Sequence, residues 1–268
     1  MASLPAERRA ENPGDLHASL EAYYARYYRD TLGIPGWRDY VAVRLADHAY
    51  EGARLVRLQR ALGRPVHGLR LLNVGCGTGG FNVVAEQAGA LTCGADADPE
   101  AVAIAKARVP GRPILRALAE ALPFSDGSFD IVYCYSTLEH VRDSRQAVYE
   151  MVRVLRSGAA LYLHTPNRWA CFEGHYKLFW VPGLPGWAAR AYLSARRRPT
   201  AFLEKIRPLS LGECRSFLEQ AGARIARVFD DDANRPVGGP LWPLVRLYYR
   251  LFRVHPYLEL VAIRRGGP

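Results

Sequence analysis

No stretch of this 268-residue chain comes near the ~20 uninterrupted apolar residues that a membrane-spanning helix needs. The first fifteen residues are polar and broken by Pro5 and Pro13, so they lack the apolar core of a secretory leader and are expected to be frayed and disordered. Cysteine is sparse. Cys76, Cys93, Cys134, Cys171 and Cys214 form no C-x-x-C pair, which argues against a zinc site and a disulfide framework and suits a reducing compartment. Lysine is almost missing: Lys106, Lys177 and Lys205 are the only ones, so the net charge of +10 rests on arginine. An arginine-biased genome accounts for that charge as well as an anionic partner does. No nucleic-acid recognition module accompanies it, which argues against nucleic acid as a partner.

What remains is a chain of 49% hydrophobic residues with no internal repeat, as expected of a globular protein with one large core. Apolar residues three and four apart predict helices over Leu16–Arg29 and Trp37–Leu62, separated by Thr31–Gly36 and closed by Gly63 and Pro65. They make a helical cap over 16–64. From 65 to 268 the period changes. Strand-like runs (Leu69–Val74, Ala90–Asp96, Phe129–Tyr135, Ala159–Thr165) alternate with helix-like ones, among them Asp143–Gly158, with Gly158 just past that helix's end. The alternation predicts an α/β three-layer sandwich with a mostly parallel sheet. Two irregular inserts, 166–209 and 230–254, interrupt it, and the last strands, Ala223–Phe229 and Tyr257–Arg265, are expected to pair as an antiparallel hairpin.

The first strand runs into Gly75-Cys76-Gly77-Thr78-Gly79-Gly80, a turn whose backbone a ligand can approach closely. Asp96 ends the second strand, where a carboxylate can take both hydroxyls of a ribose. Cofactors of open α/β sheets bind at such strand ends, and these features serve a nicotinamide and an S-adenosyl cofactor equally. The next segment separates the two. Ala119-Glu120, Leu122-Pro123-Phe124, Phe129-Asp130 and Leu138-Glu139-His140 follow in that order. With the glycine turn and Asp96 they closely resemble the central block of class I S-adenosylmethionine-dependent methyltransferases, over Leu69–Asn167. The resemblance implies a seven-stranded Rossmann-like sheet with one strand reversed near its end, and S-adenosylmethionine as cofactor. It implies that Gly75, Gly77 and Gly79 shape the cofactor turn, with Asn73 near the methionine end, Asp96 at the ribose, Ala119 and Glu120 near adenine, and Cys76, Ala97 and Ser136 among the contacts. Two positions depart from the pattern. Asn73 replaces an acid, a change expected to cost about 1 kcal/mol of cofactor binding, and Leu118 replaces the acid that often meets adenine. An NAD-dependent oxidoreductase and a non-catalytic adenosyl-cofactor-binding protein on the same fold stay open as alternatives.

Transfer of a sulfonium methyl is an in-line displacement, so the protein has mainly to place a nucleophile and exclude water. Cys134–Val141 is not the Asx-Pro-Pro-aromatic turn that nitrogen acceptors usually meet, and no acidic cluster follows the fourth or fifth strand, so no metal is expected. A hydroxyl acceptor needs a base. The candidates are His140, expected to open the helix after strand four, His164 at the end of strand five, and His175 beside Glu173. Thr165-Pro166-Asn167-Arg168 resembles the small-molecule branch of the family, which includes quinone-pathway and sugar methyltransferases, and Glu173–Trp180 resembles a lid of bacterial enzymes acting on glycans or lipid-linked acceptors. In that insert Trp169, Phe172, Tyr176, Phe179, Trp180, Trp187 and Tyr192 interleave with Lys177, Arg190 and Arg196 to Arg198, which suits a lid packed on its own domain or touching lipid. The expectation is a cytoplasmic bacterial enzyme that methylates a hydroxyl of a small-molecule, sugar or lipid-linked acceptor, with peripheral contact to the inner membrane face through the aromatic lid.

Overall fold

The computed structural model describes residues 13–229 and 242–266. Its strands are β1 (Arg70–Val74), β2 (Leu91–Asp96), β3 (Ile114–Arg116), β4 (Phe129–Tyr135), β5 (Leu155–Pro166), β6 (Phe172–Glu173), β7 (Leu178–Phe179), β8 (Ala223–Phe229) and β9 (Tyr257–Arg264). The helices are α1 (Pro13–Ala25), α2 (Trp37–Leu45), α3 (Asp47–Leu62), α4 (Gly80–Gln87), α5 (Pro99–Arg108), α6 (Ser144–Arg153), α7 (Gly186–Ala195), α8 (Leu211–Gln220) and α9 (Trp242–Phe252). Seven strands form one sheet in the order β3-β2-β1-β4-β5-β9-β8. Only β9 runs against its neighbours. This is the expected three-layer architecture, with its reversed strand in place. β6 and β7 pair separately as a short hairpin.

Several boundaries fall elsewhere than the sequence pattern puts them. Pro13 to Asp15, assigned to the frayed terminus, already belong to α1, and the rest of that terminus lies outside the described residues. After Ala25 the first helix widens into a π-helical turn, Arg26–Thr31. The Trp37–Leu62 helix breaks at Ala46, whose ψ of 60° ends α2. Helix α6 stops at Arg153, five residues before Gly158, because Val154 and Leu155 are drawn into the core and β5 begins there. Gly158, with φ of 76°, lies within β5 where its register against β4 shifts. Of the second insert, 230–241 lie outside the described residues and the remainder is mostly α9.

Both faces of the central strands are buried, as a parallel sheet requires. On one face Leu72, Val132 and Leu161 join a core that includes Met151 of α6 and Leu218 of α8. The other face buries Leu58, Leu71 and Ile131 together with a row of aromatic rings. Phe81 stacks on Tyr133 at 3.8 Å and Tyr133 on Tyr162 at 5.4 Å. Helix α3 docks there partly through charge: Arg54 lies 3.9 Å over the Tyr135 ring, and Arg57 pairs at 3.0 Å with buried Glu259, which also accepts from the Tyr162 hydroxyl at 2.6 Å. On β1, buried Asn73 donates to Asn82 of α4 at 2.7 Å, and Asn82 donates on to the Cys93 carbonyl at 3.1 Å. Asn82→Ala leaves the Asn73 amide without its acceptor and is expected to cost about 1–3 kcal/mol. The check is a urea titration, where the midpoint should fall at an unchanged slope; an unmoved midpoint would mean that the amide pair does not hold α4 to the sheet.

Candidate active site

The glycine turn is built from left-handed backbone: φ is 72° at Gly75, 52° at Gly77 and 79° at Gly79. Gly75 and Cys76 both donate their N–H to the Ala95 carbonyl, at 2.8 and 3.1 Å, which ties the turn to β2. Asp96 secures it a second time. One carboxylate oxygen accepts the Gly77 N–H at 2.7 Å and the other the Asp98 N–H at 2.9 Å. Burial raises the Asp96 pKa, and these backbone bonds oppose the rise. Asp98 then caps α5, accepting from the Glu100 N–H at 2.9 Å ahead of Pro99 in the first turn. Gly75, Cys76, Gly77, Gly79, Asp96 and the exposed Ala97 thus share the carboxyl ends of β1 and β2. Asn73 lies on the turn's approach but spends its amide donor on Asn82.

The loop after β4 is fastened to this turn. The Thr137 hydroxyl lies 3.3 Å from the Val74 carbonyl, and a Cβ added at Gly75 would collide with the Thr137 side chain. Ser136, at φ of 50°, donates its N–H to the His164 carbonyl at 2.7 Å, so the loop is bound to β5 as well. Leu138 to His140 form a turn, closed by His140 N–H to Thr137 at 2.9 Å, and not the expected helix start. Helix α6 begins at Ser144 behind the Asp143 cap. Glu120, expected near adenine, directs its carboxylate to the Arg142 N–H at 2.8 Å and so anchors this turn. Ala119 is half-buried and Leu118 exposed.

Two of the three candidate histidines meet. His140 and His175, from the loop after β4 and the β6–β7 hairpin, bring their Nε2 atoms to 3.1 Å. The Nδ1 of His140 lies 3.2 Å from the Lys205 carbonyl, and that of His175 lies 2.8 Å from Glu173. Between them sits Glu139, wholly buried, one oxygen accepting from the Thr165 hydroxyl at 2.9 Å and the other 3.9 and 3.8 Å from the two imidazoles. Burial lowers the His140 pKa. For His175 burial alone would do the same, but the hydrogen bond and charge of Glu173 and the charge of Glu139 outweigh it and raise the pKa. His164 is a correction. Side chains alternate along β5, so while Thr165 reaches Glu139, His164 turns to the other face. There its ring stacks 3.9 Å from Tyr135 and 4.9 Å from Tyr257, 2% exposed, and burial with Arg54 and Arg57 holds it neutral. It is a core ring, closed off from solvent.

Helix α1 supplies residues that sequence reasoning missed. The Tyr24 hydroxyl lies 2.6 Å from the Thr78 hydroxyl, Tyr23 donates to Asp98 at 3.0 Å, and Arg44 stacks over Tyr24 at 4.9 Å. The helix therefore lies across the glycine turn. Helical spacing signals the helix but not the surface it covers.

Residues 72–163 match the methyltransferase domain family. An uncharacterized methyltransferase of Synechocystis sp. is 37% identical over 120 residues, 43% of this chain and 53% of the relative. A ubiquinone biosynthesis O-methyltransferase of Rhizobium rhizogenes is 34% identical over 129 residues, 44% and 52% of the two chains. The chain spans about half the length of the curated relatives it matches. Among solved structures, an S-adenosylmethionine-dependent methyltransferase of Mesorhizobium loti superposes with a TM-score of 0.56 at 23% identity, over 78% of this chain and 96% of that one, which shows a shared fold. Gly75→Ala drives a methyl group into Thr137 and is expected to weaken S-adenosylhomocysteine binding about tenfold or more, ~1.4 kcal/mol, by calorimetry. Gly52→Ala, where an added Cβ meets nothing within 4 Å, should leave affinity unchanged. Equal affinities for the two variants would contradict a cofactor seat at this turn.

Proposed function

We propose, from the class I S-adenosylmethionine-dependent methyltransferase domain that this chain carries, that the protein transfers the methyl group of S-adenosylmethionine to a hydroxyl of a small-molecule acceptor. The observation that carries this reading is the fastening of the loop after β4 to the glycine turn through Thr137 and Gly75. A cofactor over that turn, with its ribose toward Asp96, its adenine toward Ala119, and Ala97 and Ser136 beside it, would hold its methyl near the Glu139–His140–His175 cluster. S-adenosylmethionine held there would supply the methyl group, the acceptor oxygen bonding to the methyl carbon as the S–CH3 bond broke and S-adenosylhomocysteine left, and this chain's cluster would receive the hydroxyl proton. His140 and His175 are the proposed proton acceptors, with Glu173 orienting His175. An oxygen acceptor is supported by the relative named for O-methylation in ubiquinone biosynthesis.

A lipid-tailed acceptor and contact with a membrane surface form the finer part of the proposal. Phe179, Val181 and Trp187 of the insert after β5 are exposed. Helix α9 exposes Leu244, Leu247 and Leu251 beside Arg246 and Arg250, the amphipathic pattern of a segment lying at an anionic interface. No helix among the described residues is long and apolar enough to cross a membrane.

With methyl-labelled S-adenosylmethionine and a lysate of the protein's source, label is expected in the organic phase. His140→Ala should reduce the rate about 10²–10⁴-fold without weakening S-adenosylhomocysteine binding. Label in neither phase above a boiled control would refute methyl transfer; label in the aqueous phase alone would retire the lipid-tailed acceptor. The paired change Leu247→Asp and Leu251→Asp is expected to lower co-sedimentation with phosphatidylglycerol vesicles, and unchanged co-sedimentation would remove α9 from the membrane contact.

A further inference from the structure

The hydrogen bonds around the two histidines fix where their protons lie. The Lys205 carbonyl oxygen, 3.2 Å from His140 Nδ1, can only accept, so that nitrogen carries the proton. The Glu173 carboxylate holds the His175 proton on Nδ1 in the same way, at 2.8 Å. In the neutral rings both Nε2 atoms then present lone pairs, and these face each other at 3.1 Å. Two lone pairs at that distance repel unless a cation lies between them. The third group aimed at the same point is the free oxygen of Glu139, fully buried and accepting no hydrogen bond from any described residue. From these atoms we infer that Glu139, His140 and His175 form a site for one divalent first-row transition-metal ion, zinc before magnesium or calcium.

The dimensions fit. The separations of 3.1, 3.8 and 3.9 Å define a triangle whose centre is about 2.1 Å from each corner, the usual zinc–nitrogen and zinc–carboxylate distance. Two imidazoles and one carboxylate suit zinc and its neighbours, whereas magnesium and calcium call for oxygen ligands throughout. An outer shell is in place on every ligand: Glu173 on His175, the Lys205 carbonyl on His140, and the Thr165 hydroxyl on the second oxygen of Glu139. Three protein ligands leave a further position open, as catalytic zinc sites do, and the His140 side chain, 31% exposed, marks the side from which an oxygen could enter. With both Nε2 lone pairs on an ion the imidazoles could not themselves take the hydroxyl proton. The ion would instead bind the acceptor hydroxyl and lower its pKa, a role that rests on the methyl-transfer reading and replaces direct proton transfer to His140 or His175. Binding of the ion does not rest on it. The spacing was not legible beforehand because His175 is 35 residues from His140 and reaches it only through the β6–β7 hairpin.

The test is a cobalt(II) titration of the chelator-stripped full-length protein, read by the visible absorption of the ion in a nitrogen and oxygen site, followed by displacement with zinc. One ion per chain is expected, released by zinc, with affinity reduced about 10–100-fold or more in Glu139→Gln and in His175→Ala. Circular dichroism and S-adenosylhomocysteine binding of each variant establish that it is folded. No saturable cobalt spectrum in the unaltered protein would overturn the site and leave the imidazole pair sharing a proton. So would an undiminished spectrum in a folded His140→Ala, His175→Ala double variant, which would place the ion elsewhere. Cobalt binding in a protein that does not bind S-adenosylhomocysteine would sink the methyl-transfer reading while the metal site stood.

Discussion

Thr137 can lie against Gly75 only because that residue has no side chain, and much of the site follows from this contact. It sets the loop after β4 in register with the turn after β1, its hydroxyl reaching the Val74 carbonyl. Upstream, the turn's other glycines accept left-handed backbone so that Asp96 can take the Gly77 amide. Downstream, the same loop carries Glu139 and His140, bound to β5 through the Ser136 amide. The glycine turn and the loop that carries Glu139 and His140 are thus parts of one packed unit, and a displacement of either reaches the other.

The layer behind the sheet obeys a different constraint. Arg54, Arg57, Glu259 and Tyr162 place ionised and hydroxyl groups where apolar side chains would ordinarily sit. Removing one member of such a set strands its partner, and a stranded buried charge costs more than the pair contributes. The arrangement therefore fixes how α3 sits on the sheet more firmly than it adds stability. It also surrounds His164 with Tyr135, Tyr257 and nearby cations, which is why that histidine became a neutral core ring.

What could be read from the sequence was whatever is written locally. Short strand-like apolar runs and period-3.6 patterns located most sheet strands and helices, and the run from Gly75 to His140 carried the resemblance to the methyltransferase block. The misplacements occurred where tertiary packing decides. Val154 and Leu155 continue a helical pattern yet are claimed by the core, which moves the start of β5. The Leu138–His140 segment has the composition of a helix start, but its tie to the glycine turn and Glu120's grip on the Arg142 amide hold it as a turn. Glu173 beside His175 was legible as an orienting pair because the two are neighbours in the chain. The meeting of His175 with His140 and Glu139 was not, because it depends on how the β6–β7 hairpin folds back.

The central claim is that the glycine turn seats an S-adenosyl cofactor. A calorimetric titration of the unaltered protein with S-adenosylhomocysteine and, separately, with NADH tests it most directly. The account predicts saturable binding of one S-adenosylhomocysteine per chain and no heat of binding from NADH. Binding of NADH with none of S-adenosylhomocysteine would contradict it and return the turn to a nicotinamide cofactor.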